Sequence, residues 1–132
     1  MRPIPVGAKG TYMLRVTPAH LANQFKDVSL PQVFATPMMV TAMENAALNA
    51  VRDYLDAGES AVGTGVNVRH LAATPVGHQV TAVAEVTKVD GRHIEFKVSA
   101  RDEIEEIGNG THERMVVDMA RLDQRLKAKK RP

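Results

Sequence analysis

The stretch that decides the fold is Pro37 to Leu55, which reads PMMVTAMENAALNAVRDYL. Its Met, Ala, Leu and Val residues recur at helical spacing and cover most of the circumference of a helix. The polar side chains share one arc of about 120°, and they are Thr41, Asn45, Asn49, Arg52, Asp53 and Asp56. A helix that is apolar around most of its surface needs cover on several sides, so we expect a strongly curved sheet to wrap around it.

Glu44 lies outside this polar arc, in a sector of the helix that is otherwise apolar. A carboxylate among apolar neighbours must be hydrogen-bonded, paired or protonated, which makes Glu44 a candidate for chemistry. A structural alternative is a capping box formed with Thr41, which would start the helix there. However, Thr36 already supplies a capping hydroxyl, and Pro37 follows it at the first helical position. We therefore predict Thr36 as the N-cap.

Length and composition limit the classes of protein that are open. The 132 residues suffice for one domain, and 44% hydrophobic and 24% charged residues are typical of a soluble globular protein. The absence of cysteine excludes disulfides and a cysteine nucleophile. Two Tyr, three Phe and no Trp offer few platforms for stacking nucleic-acid bases. We expect a cytoplasmic protein with no metal site, no cofactor and no membrane partner, and we do not expect it to bind nucleic acid.

The net charge of +2 is concentrated at the C-terminus. In residues 121–132, six Lys and Arg side chains stand against Asp123 alone, giving +5 there and −3 for residues 1–120. We therefore divide the chain into a single domain, 1–120, and a basic tail, 121–132, which we expect to be solvated. A phosphate-contacting role of the tail is the alternative.

After the long helix the pattern changes to the alternation that is typical of strands. One strand is predicted before the helix and four after it, at 11–17, 62–72, 78–89, 94–101 and 111–121. Asp90-Gly91 is a strong hairpin signal. One strand, a buried helix and four antiparallel strands make an α+β layout, which we interpret as a hotdog fold with a curved antiparallel sheet around a long central helix. A cystatin-like open sheet is the alternative.

His70 repeats on a strand the anomaly that Glu44 shows on the helix. By alternation it shares the face expected to point inward with Val62, Thr64, Val66 and Val68. A lone histidine on such a face is either a satisfied core residue or a group with a chemical role. Gly63 and Gly65 fall on the opposite face, where glycine relieves crowding or lets a ligand approach the backbone. Thr36 lies at the positive end of the helix, where a developing oxyanion is stabilised.

The last strand carries a further pair of polar residues. His112 and Arg114 share one face, opposite Met115 and Val117. Arg114 has the chemistry to orient a carboxylate or thioester oxygen. From the pattern alone, a solvated arginine is the favoured interpretation.

Several short segments, taken in order, carry a resemblance to a known family. They are Val33-Phe34-Ala35-Thr36, Glu44 eight positions on, Gly63-Thr64 with His70, Ala72-Ala73-Thr74-Pro75, and Ile107-Gly108-Asn109-Gly110-Thr111-His112-Glu113-Arg114. Together they resemble the fluoroacetyl-CoA thioesterase family of hotdog proteins, over about residues 31–117. The resemblance implies a catalytic set formed by Thr36, Glu44 and His70. It also implies that the acyl substrate is bound by Gly63, Thr64 and Arg114.

The resemblance also implies homodimers with active sites at the subunit interface; whether dimers combine into a tetramer is left open. Coenzyme A would enter as part of the substrate. The sequence departs from the family pattern before Thr36. The fluoroacetyl-specific members have a longer, Phe-rich lid there, whereas this chain has the shorter segment Leu21–Leu30, with Phe25 as its only aromatic residue. We therefore expect a thioesterase for acyl-CoA, or a related thioester, with a short or compact acyl group. A non-catalytic acyl-CoA-binding or regulatory dimer is the main alternative, and a hotdog hydratase is a third.

Overall fold

The computed structural model describes residues 1–131; Pro132 and the side chain of Phe25 lie outside the described part. The elements follow in the order β1 Lys9–Arg15, α1 Ala22–Phe25, α2 Thr36–Val51, β2 Glu59–His70, β3 Gln79–Asp90, β4 His93–Arg101, β5 Glu106–Asp118 and α3 Met119–Ala128. Short 3₁₀ turns precede α1, at Pro18–His20, and extend α2, at Arg52–Tyr54. The predicted order of one strand, a long helix and four strands is confirmed.

The five strands form one antiparallel sheet in the order β1-β3-β4-β5-β2. The predicted hairpin between β3 and β4 is confirmed, because Asp90 pairs with His93 and Gly91 adopts a φ of 61°. β2 lies at one edge, and within residues 1–131 its only sheet neighbour is β5. An edge strand of this length presents a row of backbone groups that a second chain can pair with.

The sheet curls around α2, which supplies much of the core. The buried side chains of α2 are Met39, Ala42, Met43, Ala46, Ala47, Ala50 and Val51. The alanines let the strands come close to the helix. The backbone of Ala46 and Ala50 lies so near to Gly10 of β1 that no side chain would fit at that position. Strands β3 and β4 cover the helix with alternate residues such as Val80, Val86 and Phe96. This is the predicted α+β arrangement, in which the sheet covers one side of the central helix and Thr41 and Asn49 remain exposed.

The start of α2 differs from the prediction. Ala35 is the N-cap residue and Thr36 is the first residue of the helix, so the prediction of Thr36 as N-cap is wrong. Backbone bonds fix this entry, since the Ala35 N–H donates to the His20 carbonyl. The capping box at Thr41 is also absent, because α2 begins earlier and the Thr41 hydroxyl donates to the Pro37 carbonyl at 2.9 Å. The Thr36 hydroxyl is therefore available to another partner.

A β-bulge in β2 changes which residues face the helix. Gly63 and Gly65 pair with successive residues of β5, which leaves Thr64 without a partner. The extra residue shifts the alternation by one position. Gly63 consequently faces inward and Val62 outward, so the predicted faces are wrong before the bulge. They are right after it, where His70 lies on the inward face with Val66 and Val68.

The C-terminal residues form a helix instead of extending the last strand. β5 ends at Asp118, whose carboxylate caps α3 by accepting from the backbone N–H groups of Ala120 and Arg121. No residue of α3 is buried. Residues 119–128 are therefore helical, where the sequence predicted first the end of a strand and then a solvated tail. None of the helices in the described chain has the length and apolarity to span a bilayer.

Candidate active site

The first group of candidate residues consists of Thr36 and His70, whose side chains are in contact. Thr36 Oγ1 lies 2.8 Å from His70 Nδ1, where the first turn of α2 meets the end of β2. Burial lowers the pKa of His70, which favours the neutral imidazole at pH 7. If the ring proton is on Nε2, Nδ1 accepts from the Thr36 hydroxyl. Nε2 is buried, and among the described residues no group meets the geometry of a hydrogen bond to it, although the Ala72 backbone is close enough to the ring to raise its pKa against the larger effect of burial.

Thr36 and His70 lie in the wall of a cavity of about 390 Å³. Most of this wall is apolar and includes Ala22, Leu30, Val33, Phe34, Leu71 and Ala72. The Leu21–Leu30 segment, where the sequence departs from the family pattern, contributes part of the wall, including the charged side chain of Lys26. The prediction concerning the aromatic ring of Phe25 lies outside the described residues. A cavity of this size suits a small ligand.

The Ala72–Pro75 segment, which the family resemblance singled out, holds this wall in place. Thr74 is fully buried, and its hydroxyl donates to Asp102 Oδ2 at 2.8 Å. Its carbonyl accepts from the Phe34 N–H at 2.8 Å. The segment therefore ties the end of β2 to the strand-like stretch before α2, which keeps His70 beside Thr36.

The second group surrounds Glu44. Glu44 follows Thr36 by eight positions on α2, a helical rise of about 12 Å. A β-carbon added to Gly63 would lie 2.9 Å from Glu44 Oε2 and 3.9 Å from Arg114 Nη1, so glycine leaves the space that the carboxylate occupies. Within one chain, Gly63 and Arg114 thus gather around Glu44 and not around His70.

Arg114 is buried, with 8% of its surface exposed, so the prediction of a solvated arginine is wrong. Its Nε and Nη2 donate to the Ala61 carbonyl at 3.1 and 2.6 Å, and Nη1 donates to the backbone carbonyl of Glu44 at 3.3 Å. These carbonyls replace the water that a buried guanidinium loses. Arg114 can therefore be buried on the inward face of β5, because α2 and β2 both present backbone carbonyls to its guanidinium.

His112 is a member of this group that the sequence did not single out as a site residue. Its Nδ1 lies 2.7 Å from the Gly65 carbonyl oxygen, and its Nε2 lies 3.1 Å from Arg114 Nη1. The ring stacks on Phe96 with the centroids 5.7 Å apart. Burial, and next to it the charge of Arg114, lower the pKa of His112. The sequence signal that could have identified His112 as a site residue is the alternation that places it on the same face as Arg114.

Thr64, the remaining predicted substrate-binding residue, belongs to neither group. It is the unpaired residue of the bulge and is exposed on the edge strand β2. The structure thus brings together Thr36 with His70, and Glu44 with Gly63 and Arg114, and separates the two groups along α2.

Comparison with known proteins identifies the family to which the chain belongs. A family model described as fluoroacetyl-CoA-specific thioesterase matches residues 16–120. A fluoroacetyl-CoA thioesterase from Streptantibioticus cattleyicolor is 46% identical over 99 residues, which are 75% of this chain and 71% of that protein.

Solved structures resemble the whole fold. The fluoroacetyl-CoA thioesterase FlK has a TM-score of 0.92 at 37% identity, over 98% of this chain and 99% of that one. A variant of FlK in complex with acetyl-CoA has the same TM-score and identity, over 96% and 99% of the chains. A thioesterase superfamily member from Thermus thermophilus has a TM-score of 0.89 at 33% identity, over 98% and 97%. These matches confirm the hotdog fold and exclude the cystatin-like alternative. The chain belongs to the fluoroacetyl-CoA-specific thioesterase family, whose members are hotdog-fold thioester hydrolases.

Proposed function

We propose that this protein hydrolyses acyl-CoA thioesters with a short or compact acyl group, using Thr36, Glu44 and His70. The observation that carries the proposal is the Thr36–His70 contact, because it holds an imidazole with an unpartnered nitrogen in the wall of a small apolar cavity. Family membership supports the reaction, and a relative solved with acetyl-CoA supports the substrate class. A cytoplasmic location is part of the same proposal.

The separation of the two groups leads us to propose that the site is completed by a second copy. An antiparallel pairing of two β2 strands, with a twofold axis at Asn67, would set Gly63 opposite His70 of the partner subunit. Glu44, next to Gly63, would then approach the partner's His70. Each dimer would contain two such sites, each built from both chains.

In such a site, the thioester carbonyl is attacked by a water that Glu44 activates, or by the Glu44 carboxylate itself. His70 donates from Nε2 to the oxygen on which negative charge develops, and Thr36 holds the imidazole in the tautomer that permits this. The carbon–sulfur bond breaks, the CoA thiolate takes up a proton, and water supplies the oxygen of the released carboxylate. Coenzyme A is therefore a product and not a cofactor.

Mixed dimers test the proposal and its geometry together. Glu44→Gln and His70→Ala homodimers should each lose thiol release from acetyl-CoA. A heterodimer of the two variants should regain activity, because one of its two sites combines the intact Glu44 of one chain with the intact His70 of the other. If the heterodimer is as inactive as either homodimer, the composite site is wrong.

A panel of acyl-CoA esters of increasing length defines the substrate, with thiol release as the readout. Fluoroacetyl-CoA belongs in the panel, since relatives carry that name, and we expect it to be hydrolysed at a rate similar to that of acetyl-CoA. Saturable binding of acyl-CoA without thiol release from any ester would instead favour a non-catalytic binding dimer.

A further inference from the structure

His112 makes defined contacts within the Glu44 group, yet the proposed mechanism gives it no task. We infer that His112 is a positioning residue that holds the Arg114 guanidinium away from the Glu44 carboxylate, so that the carboxylate remains available to react. The inference rests on the proposed function, in which Glu44 attacks the thioester or activates water.

The guanidinium N–H groups of Arg114 that could reach the Glu44 carboxylate donate to other acceptors. Nε and Nη2 donate to the Ala61 carbonyl, while Nη1 donates to the backbone carbonyl of Glu44 and contacts His112 Nε2. Nη1 carries two protons, so both have partners. Within residues 1–131, the guanidinium forms no ion pair with a carboxylate at 4.0 Å or less. Arg114 is thus beside Glu44 without pairing with its side chain.

The tautomer of His112 is fixed by the strand opposite. A carbonyl oxygen only accepts, so the 2.7 Å contact with the Gly65 carbonyl requires a proton on His112 Nδ1. Nε2 of the neutral ring then has a lone pair to accept from Arg114. The ring has 2% of its surface exposed and stacks on Phe96, which leaves it little freedom to turn. His112 is therefore built as an acceptor aimed at Arg114.

If this acceptor were lost, the Glu44 carboxylate would be a ready replacement. Glu44 Oε2 and Arg114 Nη1 lie 2.9 and 3.9 Å from the same point, the position of a β-carbon on Gly63. A guanidinium that pairs with a carboxylate favours the charged carboxylate and makes it a weaker base. The charged groups around His112 are Glu44 on α2 and Glu113 and Arg114 on β5, whereas its neighbours on β2 and β4, Gly65 and Phe96, are neutral.

Three variants separate the acceptor from the bulk of the ring. His112→Gln places a carbonyl oxygen near the position of Nε2 and keeps an acceptor for Arg114. His112→Asn keeps a donor near the Gly65 carbonyl but does not reach Arg114, and His112→Leu keeps neither. Thermal unfolding shows which variants are folded, and the comparison of Gln with Asn decides the question even if the Leu variant fails to fold.

The main readout is the titration of the Glu44 carboxyl carbon by ¹³C NMR, assigned with Glu44→Gln. We expect the midpoint in the Gln variant to match that of the wild type, and the midpoint in the Asn and Leu variants to be lower by about 1–3 pH units. The kcat for thiol release should fall by about 10-fold or more in the Asn and Leu variants, in line with a shift of one unit or more. KM should change little.

Equal Glu44 midpoints in all four proteins would overturn the inference, as would a ¹⁵N spectrum that places the neutral ring proton of His112 on Nε2. The NMR titration needs no substrate. A wild-type protein without thiol release would therefore defeat the proposed thioesterase function, while the titration would still decide whether His112 restrains Arg114.

Discussion

The Thr36 hydroxyl lies 2.8 Å from His70 Nδ1, although the two residues are 34 positions apart in the chain. This contact exists because Ala35 caps α2 and leaves the threonine side chain without a role at the helix terminus. A hydroxyl that would ordinarily be consumed in capping is instead in contact with an imidazole nitrogen.

Replacing Thr36 with Val should weaken the site without changing its shape, because the two side chains are nearly equal in size. The lost hydrogen bond leaves His70 Nδ1 unsatisfied, at a cost of about 1–3 kcal/mol. If the cost falls on the transition state, kcat/KM should decrease by about 10- to 100-fold. Thr36→Ser retains the hydroxyl and should stay close to the wild type; equal losses in both variants would rule out the hydrogen bond as the cause.

Glu44→Gln should abolish most of the thiol release while leaving the fold intact. The amide is isosteric but neither a base nor a nucleophile, and loss of general acid–base catalysis typically costs about 10²- to 10⁴-fold in rate. Glu113→Gln is the matched control, since Glu113 lies on β5, is partly exposed and has no part in the proposed chemistry. An unchanged rate in the Glu44 variant would show that another group performs the chemistry.

The two glycines of the bulge should respond differently to alanine. In Gly63→Ala the new β-carbon would lie 2.9 Å from Glu44 Oε2, so the carboxylate must move and activity should drop by at least about 10-fold. In Gly65→Ala the new β-carbon would approach the end of the flexible Glu113 side chain, which turns away into solvent, so we expect activity close to the wild type. Assays of thiol release on both variants check this contrast, and measured unfolding temperatures that are equal show that both variants are folded.

Stability should decrease as the pH falls below neutrality. Burial lowers the pKa of both His70 and His112 relative to the ordinary value of 6.5. The unfolded chain therefore binds more protons than the folded chain below about pH 6.5, and the free energy of unfolding declines there. Urea denaturation between pH 8 and 5 measures the slope.

Histidine variants assign this slope to residues. His112→Gln should flatten it, because one buried titrating ring is removed. His93→Gln should preserve it, because His93 is partly exposed and faces Glu113 on the sheet surface. A steeper decline in the His112 variant would contradict the assignment.

Removal of residues 121–132 should leave hydrolysis unchanged and shift the unfolding temperature by only a few degrees. No residue of α3 is buried, and its capping residue, Asp118, would remain. Acetyl-CoA turnover and a melting curve of the shortened chain test this. A large loss of activity would show that the basic helix takes part in binding the substrate or in assembly.

The sequence predicted the long helix, the order of the strands and the inward position of His70, because each of these depends on local periodicity. It did not predict the N-cap at Ala35, because that position is fixed by a backbone bond to His20, a residue that periodicity does not connect with it. It also missed the burial of Arg114, since the carbonyls that make burial favourable belong to other elements. Alternation describes one strand at a time and carries no information on what covers it.

The bulge at Thr64 has a simple arithmetic consequence. His70 follows Gly63 by seven positions, an odd offset that in a regular strand would place the two side chains on opposite faces of the sheet. The single spare residue cancels that parity, so both point toward the helix. One strand can therefore offer an opening for a carboxylate near its beginning and an imidazole at its end, a combination that no perfectly pleated strand of the same length could provide.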